Sequence, residues 1–261
     1  MMASSSTYVM LCLLSCVSLN FALTNKEAGM FESHEINVIR GSDVHGRVAV
    51  SIKGSDGTHT LKSNGIPDHA IDAHDRIKEQ KFRMKFPQNP TLNDKPTCLP
   101  ASSIVGFAIN GVPIFSPFDK NSKNVNVGLK AKSCQGRTGK DGVYFYAQLP
   151  NRCSTFTSGY QGHDPYSIYG VAADGFPIYG PGLGEITNAD LDPCHGKMVD
   201  GQYRYYMTDE WPYILGCFRG TPVDVDGAPT GKNVCKFACN KRSKFNDTEC
   251  KDDFPIIHKE L

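Results

Sequence analysis

The sequence predicts a mainly β protein made of duplicated antiparallel strand and hairpin units with long, disulfide-linked loops. The first observation behind this is a passage that occurs twice. Gly106-Phe107-Ala108-Ile109-Asn110-Gly111-Val112-Pro113-Ile114-Phe115 returns as Gly170-Val171-Ala172-Ala173-Asp174-Gly175-Phe176-Pro177-Ile178-Tyr179. Each copy leads to a Cys-x-Gly-basic turn, Cys134-Gln135-Gly136-Arg137 and Cys194-His195-Gly196-Lys197. A Gly-x-Tyr-x-Tyr segment then follows, Gly142 to Tyr146 and Gly201 to Tyr205. The offsets are 64 (170 − 106), 60 (194 − 134) and 59 (203 − 144). Three landmarks in one order at nearly one spacing mark an internal duplication, about 105–150 and 169–213. The second observation is apolar-polar alternation between turn residues, the pattern of half-buried strands. The third is 25 glycines and 16 prolines, which leave room for no helix beyond two turns.

The elements follow in order. Residues 1–22 read as a signal peptide: Tyr8 to Leu14 and Val17 to Phe21 are apolar and uncharged after a serine-rich start. The run is shorter than the about 20 residues that span a bilayer, and Ser18 or Ala22 suits the cleavage site. No later apolar run is long enough for a transmembrane segment. Residues 23–62 form an N-terminal strand extension packed on the main domain. Its strands are Glu35 to Arg40, Arg47 to Lys53 and Thr58 to Lys62, with turns at Gly41-Ser42-Asp43 and Gly54-Ser55-Asp56-Gly57. Gln80 to Phe86 alternates again, with Phe82, Met84 and Phe86 on one face. Thr187 to Leu191 is the place for a short helix. Residues 223–261 form a basic, cysteine-containing tail, either a solvated surface or a polyanion contact through Lys232, Lys236, Lys241, Arg242, Lys244 and Lys251. The closing His258-Lys259-Glu260-Leu261 lacks the acidic residue of a retention signal.

Cysteine use points to secretion. Cys12 and Cys16 fall in the signal, leaving Cys98, Cys134, Cys153, Cys194, Cys217, Cys235, Cys239 and Cys250. Eight cysteines in a secreted chain read as four disulfides of unknown pairing. Cys235 and Cys239 have no second ligand pair at a zinc-finger distance. Asn246-Asp247-Thr248 is a glycosylation acceptor. Lysine plus arginine (28) balances aspartate plus glutamate (27), which gives no case for nucleic acid as a partner.

Four segments carry a family resemblance. Ser63-Asn64-Gly65-Ile66-Pro67-Asp68-His69, Val112 to Phe115, Asp174 to Gly180 and Trp211 to Gly220 together resemble the YHYH family, over about 63–222. In that family a Tyr-His-Tyr-His strand follows a Cys-x-Gly-His turn. Alternation places its histidines on one face, which the resemblance implies is a cluster suited to copper or zinc. Here the strands read Tyr144-Phe145-Tyr146-Ala147 after Arg137 and Tyr203-Arg204-Tyr205-Tyr206 after Lys197. All six histidine positions are changed, both turn histidines to cations, while the tyrosines of the other face remain.

What chemistry is left is sparse. The residual metal candidates are His69, His163 and His195, if the fold gathers them; the alternative for each is a hydrogen-bonding loop residue. No Gly-x-Ser-x-Gly elbow or unpaired cysteine offers a nucleophile. Asp174 and Asp192 are read as turn-capping residues, not a catalytic pair. Ten tyrosines between Tyr144 and Tyr213 are core, or in part a platform for a sugar or protein with Trp211 and Phe218. The expectation is therefore a secreted, non-catalytic binding or matrix protein of the extracellular space, including a shell or skeletal organic matrix. It needs no cofactor, and its partner is an extracellular protein, glycan or matrix. The rivals are a copper or zinc protein using leftover histidines and a carbohydrate-binding module.

Overall fold

The computed structural model describes residues 23–35, 47–48, 50–69, 71, 76–118, 124, 134, 136–139, 141–148, 167–180 and 186–226. Residues 1–22, expected to be a signal peptide, and Cys153, His163, Cys235, Cys239, Asn246 and Cys250 lie outside the described residues.

Asn25–Gly29 makes a one-turn helix (α1), started by a capping box in which Thr24 and Glu27 satisfy each other's backbone amides. His34–Glu35 (β1) pairs antiparallel with Arg47–Val48 (β2). Val50–Ser55 (β3), Thr58–Ser63 (β4) and Phe82–Pro87 (β5) run as an antiparallel meander, and Thr97–Cys98 (β6) follows. The first repeated passage gives Ile104–Ala108 (β7), Pro113–Phe115 (β8), Gly136–Thr138 (β9) and Tyr144–Tyr146 (β10). The second gives Ile168–Ala172 (β11), Pro177–Tyr179 (β12), Gly196–Val199 (β13) and Gln202–Tyr206 (β14). Cys217–Phe218 (β15) pairs with β6, and Val225–Asp226 (β16) adds to β5. The short helix expected at Thr187 to Leu191 is one 3-10 turn, Asn188–Asp190.

The main sheet has eight strands in the order β13-β14-β12-β11-β7-β8-β10-β9. From the middle outward both halves read alike. At the centre β7 and β11 run antiparallel, with Gly106 opposite Ala172, Phe107 opposite Val171 and Ala108 opposite Gly170. Two matching hydrogen bonds flank them: Ile109 N donates to Tyr169 O (2.9 Å) and Ala173 N to Val105 O (2.8 Å). Each half then turns through a tight hairpin whose glycine has positive φ, Gly111 (80°) and Gly175 (89°). Next comes a parallel neighbour, β8 with β10 and β12 with β14. An antiparallel edge strand, β9 or β13, completes each half.

Both central strands are buried along their whole length, so the middle of the sheet is covered on both faces. One cover is the smaller sheet, β16-β5-β4-β3. Phe82, Met84 and Phe86 point inward from β5 as the alternation predicts, and the Phe82 ring meets Phe107 at 5.6 Å. Leu61 and Ile66 are fully buried in the same core.

Cys194 and Cys217 form a disulfide, and Cys98 and Cys134 are disulfide-bonded as well. The Cys194–Cys217 bridge closes a chain separation of 23 residues. Chain entropy alone assigns such a loop about 3 kcal/mol. The double variant Cys194→Ser with Cys217→Ser is therefore expected to lose about that much in urea unfolding monitored by tyrosine fluorescence.

Candidate functional site

The two motif strands, β10 and β14, carry their tyrosines inward. Tyr144, Tyr146, Tyr203 and Tyr205 are all buried. Their rings explain the glycine of the Cys-x-Gly turns, because a Cβ on Gly136 would overlap Tyr144 and one on Gly196 would overlap Tyr203. Their hydroxyls tie strand to turn. Tyr205 donates to Asp174 Oδ2 at 2.6 Å and accepts from Arg219 N at 2.9 Å. Gly220 N (3.0 Å) and Phe176 N (3.4 Å) also donate to the Asp174 carboxylate. In the other half Asn110 occupies the turn position of Asp174, and its Nδ2 donates to Tyr146 (3.1 Å) and to Asp68 Oδ1 (2.8 Å). Tyr203 reaches both oxygens of Asp192 at 3.0 Å, while Cys194 N and Gly196 N donate to Asp192 Oδ1. Asp174 and Asp192 thus serve the turn-capping role expected of them. Burial outweighs these donors and raises both carboxyl pKa values, and it pushes Tyr146 and Tyr205 well up.

On the other face of the motif strands stand the positions of the family's histidines. In the first half Phe145 stacks on Phe115 with centroids 4.3 Å apart, and Ala147 is buried. In the second half the Arg204 guanidinium lies 4.9 Å over the Tyr179 ring and Lys197 Nζ lies 5.1 Å over Tyr206. Tyr179 in turn donates its hydroxyl proton to Glu27 of α1. Phenyl, methyl, guanidinium and ammonium groups offer no lone pair to an ion and the cations repel one; the buried phenol of Tyr206, beneath Lys197, is a single neutral oxygen in place of an imidazole. These residues do not fit a copper or zinc centre.

The remaining histidines are placed separately. His69 is buried, with Nε2 2.7 Å from the Tyr146 hydroxyl and its ring edge-on to Tyr144. His195 is buried between Asn188 Oδ1 (2.9 Å from Nε2) and Ile214 O (3.2 Å from Nδ1). His69 bonds to Tyr146 on β10 and His195 immediately precedes β13, and these two strands are six inter-strand steps apart in the sheet. That is about 29 Å along it. The structure therefore does not bring His69 and His195 together, and His163 lies outside the described residues. Among the described residues no group of three or more His, Cys, Asp or Glu side chains is arranged to hold an ion. A loop histidine is ordinarily a surface residue; these two are buried because each has a polar partner for its ring nitrogen.

Burial lowers the His195 pKa to about 4, so the ring is neutral in the fold at neutral pH. The unfolded chain protonates near 6.5, which means stability is full above that pH and is lost as pH falls from 6.5 through 4. The His195 contribution to that loss is roughly 3 kcal/mol, read as the difference between wild type and His195→Gln in urea unfolding at stepped pH.

The aromatic window is core. Tyr169, Tyr179, Tyr206 and Phe218 are buried with the motif tyrosines; Trp211, set edge-on to Phe118, and Tyr213 are half-buried. Among the described residues the rings therefore follow the core reading and not the alternative of an exposed platform, with Trp211 and Tyr213 half-buried at its edge. Tyr160 and Tyr166 lie outside the described residues. Three partners escaped the sequence reading: Asp68, Glu27 and the Asn110 amide. In sequence Asp174 reads only as a turn-capping residue, and Asn110 only as part of the repeated passage.

The architecture is thus an all-β domain whose two like halves present tyrosine-anchored turns on one side and filled motif positions on the other. A family model described as YHYH protein matches residues 83–189 and 182–220. The match covers more than half of the chain, and the chain belongs to the YHYH family. No curated protein and no solved structure matches it.

Proposed function

We propose that this chain is a secreted, disulfide-stabilised protein of the extracellular space that acts by binding, as a component of a matrix such as that of a shell or skeleton, and not by catalysis. The observation that carries this reading is the fate of the motif face. Lys197 and Arg204 lie over Tyr206 and Tyr179 where the family's coordinating residues would stand, and Phe145 on Phe115 fills the matching place. The scaffold of a duplicated unit has been kept and its coordinating side chains replaced by packing ones. Disulfides at Cys98, Cys134, Cys194 and Cys217 support an oxidising compartment.

Expression of the full chain in secretory cells tests this. The expected outcome is protein in the medium, without free thiols, carrying an enzymatically removable glycan at Asn246. Metal analysis of untagged protein after dialysis is expected to give substoichiometric copper and zinc. Retention in the cytosol with reduced cysteines, or one tightly held ion per chain, overturns the reading.

A further inference from the structure

We propose that the outward face of the β3–β4–β5 sheet binds a linear sulfated polysaccharide. The inference rests on the extracellular reading above and names the class of partner.

Alternation along the three strands sends Leu61, Met84 and Phe86 into the core and sets Lys53, Lys62, Arg83 and Lys85 outward, all exposed. The register then fixes their pattern. Lys62 stands directly opposite Arg83, and Thr60 lies between Lys53 on one side and Lys85 on the other. Like charges at directly facing positions destabilise a sheet. Nothing in the described structure offsets this, because none of the four cations makes an ion pair among the described residues. The acid nearest in register is Asp226, opposite Arg83 on the edge strand, and it too makes no ion pair there. The whole chain is balanced at 28 basic to 27 acidic residues, so this face holds a local surplus and does not mirror the composition.

The surplus adjoins a groove of about 410 Å³, where Lys62, Lys81 and Arg83 come together with Ser51, Asn64 and Gln80. Ammonium, guanidinium, hydroxyl and amide groups are the donors that a sulfate ester, an acceptor without a proton of its own, requires. Across strands such cations recur at about 4.8 Å and along a strand at about 6.8 Å. An open, regularly spaced array of this kind suits a polymer with repeated anions better than one small ligand. A membrane-binding face needs apolar side chains to insert. The exposed large hydrophobics among the described residues are Met30, Leu92 and Met198, none of them on these strands.

The test uses the secreted full chain on immobilised heparin, on desulfated heparin and with phosphatidylserine vesicles. Wild type is expected to bind the sulfated chain, release with added salt and ignore the other two. The combined variant Lys53→Gln, Lys62→Gln, Arg83→Gln and Lys85→Gln keeps its melting temperature, since all four side chains are exposed. Exposed charge contacts each contribute a factor of about two to five, so its affinity falls at least about tenfold. A tail variant, Lys241→Gln with Arg242→Gln and Lys244→Gln, stays near wild type. Equal binding by wild type and the sheet variant, loss in the tail variant alone, or binding to vesicles alone overturns the assignment. A secreted protein that ignores heparin sinks this inference and leaves the extracellular reading standing; a chain never secreted sinks the latter.

Discussion

Gly170→Ala and Gly106→Ala are each expected to abolish accumulation of folded protein, and to fail to the same degree. Both glycines sit at the centre of the main sheet, where β7 and β11 run side by side, antiparallel. A Cβ on Gly106 falls 2.5 Å from the Val171 carbonyl oxygen, and one on Gly170 falls closer still to that of Phe107. In both cases the obstacle is backbone, so no side chain can swing aside. Relief requires the strands to part, which breaks the flanking bonds from Ile109 N to Tyr169 O and from Ala173 N to Val105 O. Overpacking typically costs about 1–3 kcal/mol and more where backbone must yield, a large share of the 5–15 kcal/mol that holds a domain together. Gly29→Ala is the control, because nothing lies within 4 Å of its added Cβ. Yield in the medium and urea midpoints of whatever folds provide the measurement. A tolerant Gly106 beside an intolerant Gly170 would contradict the equivalence of the two halves that their register describes.

Those same glycines show where the sequence stops being informative. The repeat made both hairpins readable, since Asn110-Gly111 and Asp174-Gly175 fall between apolar runs as tight turns require. The alternation of Phe82, Met84 and Phe86 likewise marked an inward face, and β5 buries it. Two similar segments do not say, however, that they pair with each other. That fact appears only when Phe107 is seen opposite Val171, and it alone explains why residues 106 and 170 must lack a side chain. The parallel pairing of β8 with β10 was equally silent, because side-chain period is the same in parallel and antiparallel strands. Long-range polar contacts were the hardest to foresee. The Ser63 to His69 segment lies ahead of the residues that the family model matches, and nothing local placed His69 on Tyr146, 77 residues away. Asp174 read correctly as a turn residue through its bond from Phe176 N, while its other oxygen serves Tyr205 and Gly220 from distant strands.

Asp174→Ala is expected to cost about 4 kcal/mol, whereas Asp174→Asn costs about 2 kcal/mol. Asp174 is completely buried, and its removal leaves the Tyr205 hydroxyl and the Gly220 amide enclosed without an acceptor. Asparagine keeps one acceptor oxygen for Phe176 N, as Asn110 does for Val112 N, and its amide can donate to the Tyr205 hydroxyl as Asn110 does to Tyr146; only the Gly220 amide then loses its acceptor. The two variants also separate charge from hydrogen bonding. Burial raises the Asp174 pKa in the fold, against the donors from Tyr205, Gly220 and Phe176. Its protonated form therefore contributes stability that is full below the unfolded value of 3.8 and is lost as pH rises through the folded pKa. The advantage of wild type over Asp174→Asn should accordingly shrink as pH climbs out of the acid range. This runs opposite to His195, whose contribution disappears on the way down from 6.5 to about 4. Urea unfolding of both proteins at stepped pH reads the difference directly. An advantage that grows toward neutral pH would mean that the carboxylate is held as an anion by its donors, and that hydrogen bonds rather than burial govern this centre.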